Sequence, residues 1–209
     1  MTLPAPKPAT WSYAETFVEE DDVLAAARAR SEEVGAVAIG TGAGAALRFL
    51  ASVIEARAVV EVGTGTGVSG VWLLRGMRPG GILTTVELEA EHQRLARLTF
   101  REAGATGRVR TILGRGLAVL PRLADASYDL VFCDAARVEY PDYLDEALRL
   151  LRPGGAIAFA GGTGLGRTGD PTARDVETLA LRELAKLLHE DDRLVSALLT
   201  GDVLVAVRP

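Results

Sequence analysis

The sequence predicts an α/β fold in which a mostly parallel sheet of seven strands carries helices on both faces. From residue 58 onwards, short apolar runs alternate with segments of helical period, which is typical of βαβ units. The last two apolar runs are separated by only three residues, so they can pair only as an antiparallel hairpin. A length of 209 residues suits a single domain of this kind.

The candidate elements follow one another regularly along the chain. Strands are predicted at residues 58–62, 81–86, 109–113, 128–133, 155–159, 194–199 and 203–207. Helices fill the intervals between the first five strands, for example at residues 93–103 and 143–151. A further helix is predicted at residues 171–188, before the terminal hairpin.

The N-terminal quarter of the chain precedes this alternation. Residues 1–12, which include three prolines among the first eight residues, are predicted to form a flexible tail. A helix is predicted over residues 13–34, and a second helix follows a glycine-rich break at residues 40–44. We expect residues 13–57 to form a lid or a dimer contact beside the main domain of residues 58–209, and the protein to be a homodimer.

The composition excludes several classes of function. A formal net charge of −5 without a basic block is unsuited to binding nucleic acid through its phosphates. No apolar run reaches the roughly 20 residues that span a bilayer, and the N-terminus lacks a signal-peptide pattern, so a cytoplasmic protein without membrane contact is expected. The single cysteine, Cys133, excludes an internal disulfide. The chain contains no asparagine and only two lysines, Lys7 and Lys186.

A glycine-rich turn joins the first predicted strand to a helix. Its run Gly63-Thr64-Gly65-Thr66-Gly67 has the spacing G-x-G-x-G, whereas a dinucleotide-binding loop has G-x-G-x-x-G. Glycines allow a sharp bend and a close approach of ligand, and the following helix N-terminus, with the Ser69 hydroxyl, favours an anionic group. Tight packing would also explain such a turn.

Two acids frame this turn. Glu61 lies within an apolar strand and would need a partner if buried, either a ligand ammonium group or backbone N–H groups. Glu87 ends the next strand, 20 residues after Gly67, where an acid can accept hydrogen bonds from both hydroxyls of a ribose. A solvated strand end is the alternative for Glu87. Together these features favour S-adenosylmethionine as the ligand.

Asp134 ends the fourth predicted strand. Because open α/β sheets bind ligands at the carboxyl ends of their strands, Asp134 would face that crevice. A helix N-cap is an equally good interpretation. Cys133 beside it is interpreted as a small buried hydrophobe, since no histidine lies near it in sequence to activate a thiolate.

These residues together resemble the caffeoyl-CoA/catechol O-methyltransferase family in its small actinobacterial form. The resemblance covers about residues 30–209 and rests on Glu61–Ser69, Glu87, Gly114, Asp134, Tyr140 and Leu151–Gly155. It implies the class I methyltransferase sheet, which resembles the Rossmann fold, with S-adenosylmethionine as cofactor and a small molecule as acceptor.

The resemblance also implies a set of cofactor-binding residues. Positions up to Ser69 would lie along the methionine part, Glu87 would hold the ribose, and the residues near Leu88 and Leu117 would enclose the adenine. Asp134 would serve the amino group and, in the family, a divalent metal. The set is Ile39, Glu61, Gly63, Thr64, Gly65, Gly67, Ser69, Glu87, Leu88, Gly116, Leu117 and Asp134.

Three departures from the family pattern concern the chemistry. Arg137 replaces the lysine that helps to deprotonate the acceptor, and a guanidinium cannot act as a base near neutral pH. Ala136 stands where some relatives carry an acid, and the run 160–162, Ala-Gly-Gly, replaces the Asp-Asn that completes the metal site. Asp134 alone would hold Mg²⁺ poorly, because this ion needs several oxygen ligands, so no metal ligands are predicted.

The remaining catalytic candidates are Asp134, Arg137 and Tyr140. Asp134 or Tyr140 could act as the base, and Arg137 could bind an anionic acceptor or stabilise a phenolate. A surface arginine paired with Glu139 or Asp142 is as good an interpretation of Arg137.

The glycine-rich segment 161–171 is expected to border the acceptor pocket, and its Arg167 could complete a phosphate nest. His92 and His189 are interpreted as surface or capping residues.

The leading hypothesis is therefore an S-adenosylmethionine-dependent O-methyltransferase for a small hydroxylated acceptor, such as a phenol, with a weakened or absent metal requirement. The alternative is a protein that binds the cofactor, has lost catalysis and has a sensing or structural role. A nicotinamide dehydrogenase fits the loop spacing and the terminal hairpin poorly.

Overall fold

The computed structural model describes residues 8–209, and its seven strands form one sheet. The strand order is β3-β2-β1-β4-β5-β7-β6. Strands β1 to β5 are parallel, and β7 lies antiparallel to both β5 and β6. This confirms the predicted sheet with its terminal hairpin. The strands are β1 Ala58–Val62, β2 Ile82–Glu87, β3 Val109–Leu113, β4 Tyr128–Cys133, β5 Leu151–Ala160, β6 Val195–Leu199 and β7 Val203–Val207.

Helices cover both faces of the sheet, because successive strand residues point to opposite sides. Val59 packs into one apolar layer with Trp72 and Phe100, and Val60 into the other with Tyr143 and Leu184. Within residues 8–209, no helix is long and apolar enough to cross a membrane. The helices are α1 Pro8–Glu15, α2 Asp22–Glu33, α3 Thr41–Val53, α4 Val68–Gly76, α5 Ala90–Glu102, α6 Gly116–Val119, α7 Tyr140–Leu150 and α8 Val176–Glu190.

The N-terminal helices differ from the sequence prediction. The predicted tail of residues 1–12 is helical from Pro8 onwards, and residues 1–7 lie outside the described part of the chain. The predicted helix of residues 13–34 is divided into α1 and α2. The division follows from Asp21, whose carboxylate accepts the N–H of Leu24 at 3.1 Å and so caps a new helix.

The glycine-rich run at residues 40–44 does not separate helices as expected, because α3 begins within it, at Thr41. A Cβ at Gly44 would overlap the indole of Trp72, and one at Gly42 would overlap the carboxylate of Glu15. That carboxylate accepts the N–H of Gly42 at 2.9 Å. These glycines therefore permit close packing of α3 against its neighbours.

Several other boundaries are shifted by capping and pairing. Helix α8 begins five residues later than predicted, because the Asp175 carboxylate accepts the N–H of Thr178 at 3.0 Å. Strand β5 begins at Leu151 instead of Gly155, and Leu151 is already paired with Tyr128 of β4.

Candidate cofactor and acceptor sites

A cavity of about 290 Å³ lies at the carboxyl ends of β1, β2 and β4. We call it the cofactor cavity. Most of the predicted cofactor residues line it, namely Ile39, Gly63, Thr64, Gly65, Ser69, Glu87, Leu88, Gly116 and Asp134. Glu61, Gly67 and Leu117 do not line it: Gly67 packs on α5 beside Thr99, and Leu117 packs against the apolar layer on α7.

The glycine turn combines packing with ligand access. Gly63, Gly65 and Gly67 all have positive φ, at 94°, 50° and 93°, which favours glycine. A Cβ at Gly63 would overlap the carbonyl oxygen of Asp134, because the turn lies directly on the end of β4. No atom lies within 4 Å of a Cβ at Gly65, which lines the cavity. Gly63 is thus required by packing, and Gly65 leaves room for a ligand.

Glu61 lies beneath the glycine turn and is fully buried. The Ser69 hydroxyl donates to its Oε1 and the Thr85 hydroxyl to its Oε2, both at 2.6 Å. Of the two expected kinds of partner, backbone N–H groups were wrong, since hydroxyl groups fill that role, and a ligand ammonium group stays a prediction. Burial raises the pKa of Glu61 to about 7, against the effect of these hydrogen bonds. Ser69 lines the cavity and so links Glu61 to it.

Glu87 is held at the edge of the cavity by backbone groups. Its Oε2 accepts the N–H of Gly65 at 2.8 Å, and its Oε1 accepts the N–H groups of Leu88 and Glu89 at 2.9 Å. His92 also lines the cavity, with Nδ1 3.8 Å from Oε1 of Glu87 and a side chain that is 23% exposed, so its interpretation as a surface or capping residue missed its place beside the cavity. Its place in the first turn of α5, five residues after Glu87, is the signal that could have identified it.

Asp134 lies on the cavity wall with a partly exposed side chain. Its carboxylate has no hydrogen-bond partner among residues 8–209, and the turn that follows has no side-chain cap, so the N-cap interpretation was wrong. Burial raises the pKa of Asp134 to about 6, while the positive charge of Arg137 opposes this shift.

The other two catalytic candidates do not line the cofactor cavity. Tyr140 is fully buried, and its hydroxyl donates to the carbonyl of Ala160 at 3.0 Å. Burial, with the charge of Asp134 adding to it, raises the pKa of Tyr140 well above its usual value, which makes it a poor base. The Arg137 guanidinium is paired with Glu177 at 3.3 Å, and neither Glu139 nor Asp142 is its partner.

Arg137 lines a second cavity, of about 360 Å³, which we call the arginine cavity. The glycine-rich segment contributes Gly164, Leu165 and Arg167 to it, and the beginning of α8 forms the opposite wall. This is the place where the sequence predicts an acceptor pocket. The segment 134–137 contributes to both cavities, since Asp134, Ala135 and Ala136 line the first and Arg137 the second.

The residues around Arg137 and the end of β5 do not fit a divalent metal. Residues 8–209 contain no group of three or more His, Cys, Asp or Glu side chains placed to hold one. A Cβ at Gly161, directly after β5, would lie 2.7 Å from Nη2 of Arg137. A guanidinium therefore occupies the space beside this position, where a metal site would need oxygen ligands.

The sequence interpretation missed a charged cluster on the wall of the cofactor cavity. Glu139 is buried there and accepts the Tyr143 hydroxyl at 2.5 Å and Nε of Arg115 at 2.9 Å. Ser31 and residues 36–38, which precede the predicted domain, also line the cavity. No motif marks these residues, because segments distant in sequence bring them together.

The fold and the cavity define a class I methyltransferase-type protein, and comparisons with known proteins agree. The O-methyltransferase family profile matches residues 14–208. A Mycobacterium tuberculosis relative, named a probable O-methyltransferase, is 54% identical over 201 residues, covering 95% of this chain and 90% of the relative. The chain therefore belongs to the O-methyltransferase family.

Two solved structures are similar over almost their whole length. The O-methyltransferase TomG from Streptomyces achromogenes, which is involved in tomaymycin synthesis and was solved with SAM, has a TM-score of 0.84 at 28% identity, covering 97% of this chain and 99% of TomG. An O-methyltransferase from Bacillus cereus, solved with SAH, has a TM-score of 0.84 at 25% identity, covering 96% and 99%.

Proposed function

We propose that this protein transfers a methyl group from S-adenosylmethionine to a hydroxyl group of a small acceptor, and that it does so with weakened or no dependence on a divalent metal. The observation that carries the proposal is the cofactor cavity, where the open glycine turn and the fixed Glu87 carboxylate lie together with the Asp134 carboxylate, which has no hydrogen-bond partner among the described residues. The SAM and SAH bound to the two similar O-methyltransferases support the choice of cofactor.

The donor set of the cavity suits this cofactor. Glu87 can accept hydrogen bonds from ribose hydroxyls, and Asp134 can pair with an ammonium group. Ser69 and the N-terminus of α4 favour a carboxylate. When bound, the cofactor supplies an electrophilic methyl group on a sulfonium.

Asp134 and Arg137 have different roles toward the acceptor. Asp134 carries a partly exposed carboxylate that can take the proton of the acceptor hydroxyl as the oxygen–methyl bond forms and the methyl–sulfur bond breaks, which leaves S-adenosylhomocysteine. Arg137 stabilises negative charge on the acceptor and cannot itself take the proton. Holding the acceptor in line with the methyl group contributes much of the rate.

Two measurements test this function. Calorimetry with S-adenosylhomocysteine should show binding, and the absence of binding would refute both the enzyme and the catalytically inactive alternative. Transfer of labelled methyl groups to catechols, phenols and hydroxylated acids should be unchanged when EDTA replaces Mg²⁺. Binding without transfer would favour the sensing or structural role, and strong Mg²⁺ dependence would contradict the metal-free site.

A further inference from the structure

We propose that the arginine cavity binds the carboxylate of an acidic acceptor, with Arg137 as the anion-binding residue and Glu177 as an internal carboxylate that the acceptor displaces. This inference rests on the proposed function and specifies its acceptor as a hydroxylated carboxylic acid, for example a phenolic acid.

Arg137 has binding capacity that the protein itself does not use. Its Nη1 donates to Oε2 of Glu177 at 3.3 Å, and the guanidinium has no other hydrogen-bond partner among residues 8–209. Its side chain is 35% exposed. Because Gly161 has no Cβ, the guanidinium packs directly against the backbone there. The planar fork of an arginine matches a carboxylate with two parallel hydrogen bonds, which this long single contact does not provide.

The second arginine of the cavity is already neutralised. Nε and Nη2 of Arg167 donate to Oδ2 of Asp175 at 3.1 and 2.5 Å. Asp175 also caps α8, and its hydrogen bonds with Thr178, together with Arg167, hold the pKa of Asp175 well below its usual range. Arg167 is thus committed to holding the glycine-rich segment against α8. The predicted phosphate nest around Arg167 is not supported, and among the described residues that line this cavity Arg137 remains the available cation.

Glu177 shows that Arg137 can bind a carboxylate. Its side chain is 54% exposed, and Arg137 is its only partner among residues 8–209. An exposed pair of this kind contributes little to stability, so a ligand can displace it at small cost. The Glu177 carboxylate is thus paired with Arg137 in the position that we propose for the acceptor carboxylate.

The rest of the cavity suits a small ring. Leu165 and Leu181 provide apolar walls, and the volume of about 360 Å³ accommodates a substituted aromatic ring. An acceptor held at Arg137 lies beside the segment 134–137, whose other end carries Asp134 into the cofactor cavity. One end of such an acceptor would be recognised by charge, and its hydroxyl end would lie near the proposed base.

The test is calorimetry on the full chain with S-adenosylhomocysteine present, titrating a dihydroxybenzoate and, separately, the uncharged dihydroxybenzamide of the same shape. We expect the acid to bind about tenfold more tightly than the amide, a difference of about 1.4 kcal/mol, because a hydrogen bond between two charged groups is stronger than one to a neutral group. Arg137→Gln should abolish this preference. Glu177→Gln should strengthen binding of the acid about two- to fivefold, because the competing carboxylate is gone.

Matched controls are Arg110→Gln and Glu183→Gln, which change exposed residues without an ion pair in the described structure and should leave both affinities unchanged. Equal binding of acid and amide, failure of both to bind, or a preference that survives in Arg137→Gln would overturn the inference. With the wild-type protein, binding of S-adenosylhomocysteine and methyl transfer to an uncharged catechol report on the proposed function separately.

Discussion

Two carboxylates near the cofactor cavity differ in what surrounds them. Glu61 is fully buried and accepts two hydroxyl groups, whereas the partly exposed Asp134 carboxylate accepts none among the described residues. Burial raises the pKa of both, to about 7 and about 6. Both groups therefore change charge near neutral pH, which makes the electrostatics of the cavity sensitive to pH.

Glu61→Gln should change how stability depends on pH. Because the folded pKa is raised from 4.5 to about 7, the native state keeps a proton that the unfolded state loses, and the free energy of unfolding falls as pH rises through this window. The variant lacks this pH-dependent loss of stability. The free energy of unfolding of the variant minus that of wild type should therefore rise by about 2–3 kcal/mol from pH 5 to pH 8. Urea unfolding without cofactor measures this, with the exposed Glu183→Gln as control. A difference that stays constant with pH would contradict the assignment.

Tyr140→Phe should cost stability and leave catalysis intact. The change removes one buried hydrogen bond, to the carbonyl of Ala160, which is worth about 1 kcal/mol. Because the hydroxyl does not line the cavity, kcat for labelled methyl transfer should stay within about twofold of wild type. A large fall in kcat with unchanged affinity for S-adenosylhomocysteine would show instead that Tyr140 is the base.

Among the structural elements, the N-terminal helices are attached to the cavity by polar contacts. The Thr66 hydroxyl in the glycine turn donates to the carbonyl of Ala27 at 2.8 Å. Arg30, also on α2, donates to the Thr99 hydroxyl and pairs with Glu102, both on α5. Helix α2 therefore bridges the glycine turn and α5, and the segment after it forms part of the cavity wall. The role of residues 13–57 as a lid or a dimer contact stays a prediction.

Two glycine variants should separate packing from ligand access in the turn. Gly63→Ala should destabilise the protein by about 3 kcal/mol or more, because the positive φ and the overlap with the Asp134 carbonyl both oppose a Cβ. Gly65→Ala also places an alanine at positive φ but without overlap, so a smaller loss of about 1–2 kcal/mol is expected. Thermal unfolding measures both, and equal losses would argue against this account.

For the whole molecule, exposed aromatic residues concentrate in the N-terminal part. Trp11, Tyr13, Phe17 and Phe49 are all more than half exposed, and α1 packs against α3, which carries Phe49. A contiguous exposed apolar patch is typical of a contact with another protein. A homodimer through this region therefore stays a prediction with a physical basis.

Sedimentation of the wild-type protein should give twice the chain mass. The double variant Phe17→Ser with Phe49→Ser should sediment as a monomer, because it removes apolar surface from the predicted contact. Val195→Ser, an equally exposed apolar residue on the edge strand β6, is the control and should remain dimeric. A monomeric wild-type protein would contradict the dimer.

The sequence by itself determined the order of elements and the motifs that lie within one strand-turn-helix unit. Strands β1, β3, β4 and β7 have the predicted boundaries, because hydrophobic runs and glycine turns are local signals. Gly63, Glu87 and Asp134 could be assigned to one cavity because parallel strands carry their carboxyl ends to the same edge of the sheet.

Only the tertiary structure decided which side chains meet across distant segments. Glu177 lies 40 residues from Arg137, and Arg115 lies 24 residues from Glu139. The residue types at these positions are read directly from the sequence, but their partners are not. For Arg137 the sequence suggested Glu139 or Asp142 as the partner. Such pairs depend on how α7 and α8 pack against the sheet, and packing of separate helices follows from the fit of many side chains, which no local pattern encodes.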